Sequence, residues 1–275
     1  MPRIKLPTGV DLYYESHGQG EPLILVPSTA YSGEVWKPSQ MPLAQSLNLI
    51  LHDPRGCGRS VATQEVYTIE QMADDVVALM DHLQVPSAHL LGHSMGGRIA
   101  LCLAQNFPGR VKSLIMAASG SGPAARTGAD CVSGLPHRLV VDLVQMGFEK
   151  YIYHEICESD TFFTQEHRDQ HRDKVEEFFK LAWATHAKLP EFVHLCIARH
   201  NWEGTHRLGD VRVPTLVVIG EKDTTGSNHV AQSEVLLQRI PGAEMKVLKG
   251  QSHGFFWQAP EETNRMILDW VKQHS

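Results

Sequence analysis

The segment Gly92-His93-Ser94-Met95-Gly96 places one serine between two glycines, and a short apolar run, Ala88-His89-Leu90-Leu91, leads into it. Small and apolar residues from Met95 to Phe107 follow with the character of a buried helix. Strand, G-x-S-x-G and helix in that order make a nucleophile elbow. Gly92 and Gly96 lack a Cβ, which leaves room for a sharp turn holding Ser94 in a strained backbone conformation. The hydroxyl then stands at a helix N-terminus, where the helix end and the Met95 N–H stabilise developing negative charge. A serine that merely capped the helix would need no distant partners. A nucleophilic serine needs two: a base to take its proton and an acid to orient that base.

Both are present, in the chain order Ser, acid, His, each after a strand-like run. Asp223 follows Pro214–Ile219 in Gly220-Glu221-Lys222-Asp223, and His253 follows Glu244–Leu248 in Gly250-Gln251-Ser252-His253-Gly254. One helix and one strand separate them, which puts both at the carboxyl edge of a parallel sheet, where such folds bind ligands. Glu221 is the competing acid, with position favouring Asp223. His93 is the competing base, and its side chain is expected to point into the neighbouring turn.

The elements that must position these groups alternate between short apolar runs and helix-period segments, the pattern of βαβ units. Arg3–Leu6 and Val10–Glu15 flank Pro7-Thr8-Gly9 as an antiparallel hairpin; strands follow at Pro22–Val26, Leu47–His52, Ala88–Leu91 and Val111–Ala117. Ile69–Leu83 predicts a helix whose face of Met72, Val76, Met80 and Leu83 is apolar, with Asp74, Asp75 and Asp81 away from it. From about Ser119 to Leu208 strand character is lost and the sequence turns helical. Alternation resumes with Pro214–Ile219, a helix around Val230–Arg239, Glu244–Leu248 and a last helix from Glu261 to Gln273. The expected organisation is an α/β core of residues 1–120 and 209–275 with a helical cap insertion at 121–208.

With 275 residues, 42% of them hydrophobic, the chain can bury a sizeable core. The formal charge of -6 gives no footprint for nucleic acid or an anionic membrane. The five cysteines, Cys57, Cys102, Cys131, Cys157 and Cys196, are odd in number and form no CxxC pair, so neither a disulfide framework nor a zinc ribbon is expected. No apolar leader or spanning run is read, and a cytoplasmic location is the expectation.

On these motifs the chain resembles the α/β-hydrolase-fold serine hydrolases over nearly its whole length. Asp53-Pro54-Arg55-Gly56-Cys57-Gly58-Arg59-Ser60 is similar to the family's D-x-x-G-x-G-x-S turn, and Ser252-His253-Gly254-Phe255-Phe256 to its histidine region. The insertion falls after the sixth strand, where relatives carry a helical cap. Most relatives place His-Gly after the third strand; this chain has Val26-Pro27-Ser28-Thr29-Ala30. By position the second oxyanion N–H would come from Thr29, with Ser28 as the other candidate, and Pro27 shapes the loop differently. The enol-lactonases also lack His-Gly there.

The resemblance implies a serine hydrolase of a small, mainly apolar ester or lactone, with no cofactor or metal and a small molecule as its partner. C–C bond hydrolysis, perhydrolysis and a ligand receptor on the same fold remain as alternatives. Ser28, Trp36, Phe255 and Phe256 are the substrate-contact candidates. Asp53, Arg55 and Gly58 belong to a structural turn. His167 and His171 have the i, i+4 spacing of a metal pair but no third ligand. Most insertion aromatics fill its own core, with two or three expected to face the nucleophile.

Overall fold

Arg3–Lys5 (β1) pairs antiparallel with Val10–His17 (β2), Ile4 opposite Leu12, and β2 pairs antiparallel with Leu47–His52 (β4). The later pairings along the sheet are parallel: Glu21–Val26 (β3), Ala88–His93 (β6), Val111–Ala117 (β7), Thr215–Gly220 (β8) and Glu244–Leu248 (β9). The sheet order is β1-β2-β4-β3-β6-β7-β8-β9, and the two-residue Val61–Ala62 (β5) adds antiparallel to β2. All six residues of β6 and of β8 are buried, which is why these strands read as continuous apolar runs. The computed structural model describes residues 2–62, 66–123, 137–225 and 228–275; Cys131 lies outside them.

The helices that cover the sheet are Lys37–Gln40 (α1), Ile69–His82 (α2), Met95–Asn106 (α3), His229–Arg239 (α9), Phe255–Gln258 (α10) and Pro260–Gln273 (α11). Among the described residues, five more lie between β7 and β8: His137–Met146 (α4), Phe148–Tyr153 (α5), Gln165–Gln170 (α6), Arg172–Ala184 (α7) and Leu189–Asn201 (α8). This is an α/β-hydrolase fold, as the resemblance implied, with those five helices inserted between two neighbouring strands. The chain leaves β3 on one side to form β4 and returns on its other side as β6. That reversal opens a crevice at the carboxyl ends of β3 and β6. Among the described residues no helix is long and apolar enough to cross a membrane.

Helix α2 begins at a capping box between Thr68 and Gln71, and its Asp74 and Asp81 face solvent as expected. Asp75 does not. It is 2% exposed and takes a fork from Arg55, Nε to Oδ2 at 2.8 Å and Nη2 to Oδ1 at 2.7 Å. The apolar arc of α2 is wide enough to carry Asp75 inward because Arg55 cancels its charge there. Asp53 is fully buried and accepts from Gly33 N–H and from Arg59, which fixes the turn that Gly58 closes at φ +55. Asp75→Asn leaves Arg55 buried without a counter-charge. It is expected to destabilise the fold by about 3–5 kcal/mol, read as a lower urea midpoint; an unchanged midpoint would show that the pair is not holding this layer.

Candidate active site

Strand β6 passes into α3 through Ser94, whose φ of 54° and ψ of -115° lie where side-chain-bearing residues rarely go. Three bonds hold the turn: Ser94 N–H to Ala117 O at 2.8 Å, Gly97 N–H to Ser94 O at 3.0 Å and Ser119 Oγ–H to Ser94 O at 2.6 Å. A Cβ on Gly92 would sit 2.2 Å from Gly96 O, and one on Gly96 would sit 2.1 Å from Val26 O. The glycines therefore let α3 close onto both its own strand and the end of β3. Ser94 is 5% exposed. Its hydroxyl makes no hydrogen bond among the described residues, and neither Met95 N–H nor Thr29 N–H has an acceptor there. Such groups are available to a ligand.

Two loops beyond Ser94, after β8 and β9, meet. His253 Nδ1–H donates to Asp223 Oδ2 at 2.7 Å, and both residues are buried. The other carboxylate oxygen, Oδ1, accepts from Thr225 N–H at 3.0 Å and from Thr225 Oγ1–H at 2.7 Å. With its proton so used, Thr225 Oγ1 accepts from His229 Nδ1–H at 2.6 Å. The His229 ring lies nearly parallel to that of His253, centroids 5.1 Å apart. Burial alone would raise the pKa of Asp223, but His253 and His229 beside it hold it well below the usual carboxylate range. Burial outweighs the pull of Asp223 on His229 and lowers that imidazole to about 4, so it is neutral at neutral pH.

Glu221 does not approach His253; its carboxylate accepts from Gly250 N–H at 2.9 Å. His93 is not turned into the neighbouring turn alone. Its ring is fully buried 4.6 Å from that of His253, and its Nε2–H donates to His253 O at 3.0 Å. Burial, with His253 beside it, pushes His93 well below the ordinary imidazole value. It thus supports the loop of His253 from beneath as a neutral group.

The remaining sequence candidates divide. Thr29 and Ser28 lie on the loop after β3, at the crevice. Trp36, Phe255 and Phe256 are 0% exposed and pack around the His93 ring, so they brace the site. All three belong to the buried core. Phe162 of the insertion does reach the site, its centroid 5.9 Å from that of His253, and Gly254 N–H donates to Phe162 O at 2.6 Å. Sequence reasoning missed Thr225 and His229. Thr225 carried a weak signal, a hydroxyl two residues past the acid; His229, at the first position of a helix, carried none.

Among the described residues, Asp223, His229 and His253 are the one group with metal-ligand atoms close together, all within 4.8 Å. The Nδ1 atoms of the two imidazoles are already engaged, that of His253 with Asp223 and that of His229 with Thr225. His167 stacks on Phe163 with His171 4.8 Å beyond, and no third ligand joins them among the described residues.

Comparison with known proteins identifies the family to which this fold belongs. The description alpha/beta hydrolase fold matches residues 21–260. RutD of Variovorax paradoxus, which carries the name of a putative carbamate hydrolase, is 32% identical over 96% of this chain and 97% of its own. The non-heme chloroperoxidase CPO-A1 of Kitasatospora aureofaciens is 26% identical over 99% of this chain and 100% of its own. Among solved structures, Est816, titled as an N-acyl homoserine lactone degrading enzyme, superposes with a TM-score of 0.81 at 28% identity, covering 98% of this chain and 100% of that one. The enol-lactonase of Burkholderia xenovorans shares the fold, with a TM-score of 0.83 at 24% identity and coverage of 98% and 100%. With that span matched and the sheet order in agreement, the chain belongs to the α/β-hydrolase family, as a hydrolase acting on ester-type bonds.

Proposed function

We propose that the protein cleaves a small, mainly apolar carboxylic ester or lactone through an acyl-enzyme on Ser94. The buried 2.7 Å bond from His253 to Asp223, at the sheet edge that also carries Ser94, is the observation that supports this most directly. His253 Nε2 takes the Ser94 hydroxyl proton as Oγ attacks the carbonyl carbon, and the N–H groups of Met95 and Thr29 receive the oxyanion. Collapse breaks the acyl C–O bond, and His253 returns its proton to the departing alkoxide. Water then attacks the acyl-enzyme with His253 again as base, releasing the acid and restoring Ser94–OH. Asp223 keeps the Nδ1–H tautomer throughout and stabilises the imidazolium.

The insertion acts as a cap in this reading. Phe162 faces His253, and Tyr31, Phe178 and Trp257 pack around Phe162, which favours an apolar acyl or ring portion. These steps call on no metal or cofactor. A carbamate carbonyl is open to the same attack, and the likeness to RutD is a reason to compare carbamates with esters and lactones as substrates. A fluorophosphonate probe tests the reading: peptide mapping is expected to find one adduct, on Ser94. An adduct on another serine, or none, would overturn it.

A further inference from the structure

The loop after β3 does not hold itself. Pro27 has no N–H, and the one hydrogen bond the loop makes within residues 27–32 is Tyr31 N–H to Ser28 O at 3.2 Å. Ala30 nonetheless sits at φ 68°, in the left-handed region that costs a residue with a Cβ of order 1 kcal/mol or more. A strained loop of this kind persists only where its surroundings over-determine it.

Here the surroundings are the helical insertion. Ala187 N–H donates to Ala30 O at 2.9 Å. Ser32 Oγ and Thr185 Oγ1 share a bond of 2.6 Å. Arg199, on α8, donates from Nη1 to Thr29 Oγ1 at 3.1 Å. The Tyr31 ring is bracketed by Phe162, Phe178 and His186 of the insertion, with centroids 5.4–6.3 Å away. Among the described residues Arg199 forms no ion pair, so its guanidinium spends its contact on a hydroxyl. The Arg98 guanidinium on α3 in turn donates to Arg199 O, which ties α8 back to the helix that follows Ser94. The core approaches the same loop on the other side, where Gly96 closes on Val26 O and Pro27 O.

We propose that the oxyanion hole of this protein is assembled by its insertion, with Arg199 as a positioning residue that sets the Thr29 N–H through the Thr29 side chain. This rests on the serine-hydrolase reading above. The bond on Thr29 Oγ1 holds the residue that carries the N–H, while the bonds on Ser28 O and Ala30 O hold the chain on either side of it, which restricts the Thr29 backbone. A donor must lie about 2.7–3.1 Å from the oxyanion to stabilise it, so small displacements matter more for the transition state than for substrate. The insertion and the oxyanion hole are therefore one mechanical unit: whatever shifts α8 away from the sheet also disperses the N–H that catalysis needs.

The test compares Arg199→Met, Thr29→Val, Thr29→Ser and the double variant Arg199→Met/Thr29→Val. Each is assayed with a neutral p-nitrophenyl ester, with an ester bearing an anionic group, and with a neutral trifluoromethyl ketone, which forms a tetrahedral adduct on the serine. Arg199→Met is expected to lower kcat about tenfold to a hundredfold, with KM within about twofold and the ketone Ki rising by the factor that kcat/KM loses. Thr29→Val gives the same loss, the double variant loses no more than either alone, and Thr29→Ser, which keeps the acceptor, retains activity. Additive losses, a change confined to KM, or a loss seen only with esters bearing an anionic group would overturn the proposal, the last making Arg199 a substrate contact. Thermal melting checks folding, and if Arg199→Met does not fold, Thr29→Val against Thr29→Ser decides alone. Failure of the unmodified chain to take fluorophosphonate on Ser94 sinks the hydrolase reading. Labelling together with undiminished kcat in Arg199→Met sinks only the role of the insertion.

Discussion

Ser94→Ala is expected to lower kcat for a p-nitrophenyl ester by about a millionfold, leaving only the residual rate that bound donors and proximity provide. The size follows from what the substitution removes and what it leaves. In the proposed mechanism Oγ is the atom that attacks, and nothing else among the described residues can take its place on the β6–α3 turn. The turn itself survives, because its three bonds run through the Ser94 backbone and Ser119 and not through Oγ. Alanine meets the same steric difficulty as serine at φ 54°, so the strain is unchanged. Thermal melting of the variant should therefore match the parent within a few degrees, and the trifluoromethyl ketone should lose its covalent affinity while a non-reactive substrate analogue still binds. Retention of more than about a thousandth of the parent rate would mean that attack does not pass through Ser94.

The parts of this site that were legible in the sequence are those a parallel sheet dictates locally. A continuous apolar run followed by glycine announces a buried strand and the tight turn after it, which is why Ser94, Asp223 and His253 could be placed by order and strand phase. Side chains whose direction depends on distant partners were not legible. Helical periodicity put Asp75 in solvent because the compensating Arg55 lies on a turn before the helix begins. Trp36, Phe255 and Phe256 flank the site in sequence, and only the fold shows them packed around the buried His93 ring. Arg199 looks in sequence like one more charge on a helix face, and only the fold shows its contact with Thr29. The unusual Pro27-Ser28-Thr29 loop was visible from the start; what holds it was not, since its partners are contributed more than 150 residues later.

Asp223→Asn is expected to lower kcat about ten-thousandfold, whereas Glu221→Gln should change it by less than about threefold. An asparagine fills the same space, but its amide can present N–H to His253 Nδ1. The ring then carries its proton on Nε2, facing Ser94, and is no longer a base. The rest of the acid's surroundings sharpen the effect. Thr225 N–H and Thr225 Oγ1–H already donate to Oδ1, so that position selects a carbonyl oxygen. The NH2 group of the substituted side chain is thereby turned towards His253, the damaging orientation. Glu221, two residues earlier in the same loop, is occupied with Gly250 N–H and has no path to the imidazole. Stability gives an independent reading. Because the folded pKa of Asp223 is depressed below its unfolded value of about 3.9, its ionised form stabilises the fold at every pH above that value, and the contribution is lost as pH falls through the folded pKa. Parent and Asp223→Asn should thus differ in urea midpoint at pH 7 and converge in acid. If Glu221→Gln carries the large kinetic loss and the pH-dependent midpoint instead, the acid of this site is Glu221, and the His253–Asp223 bond is a structural one.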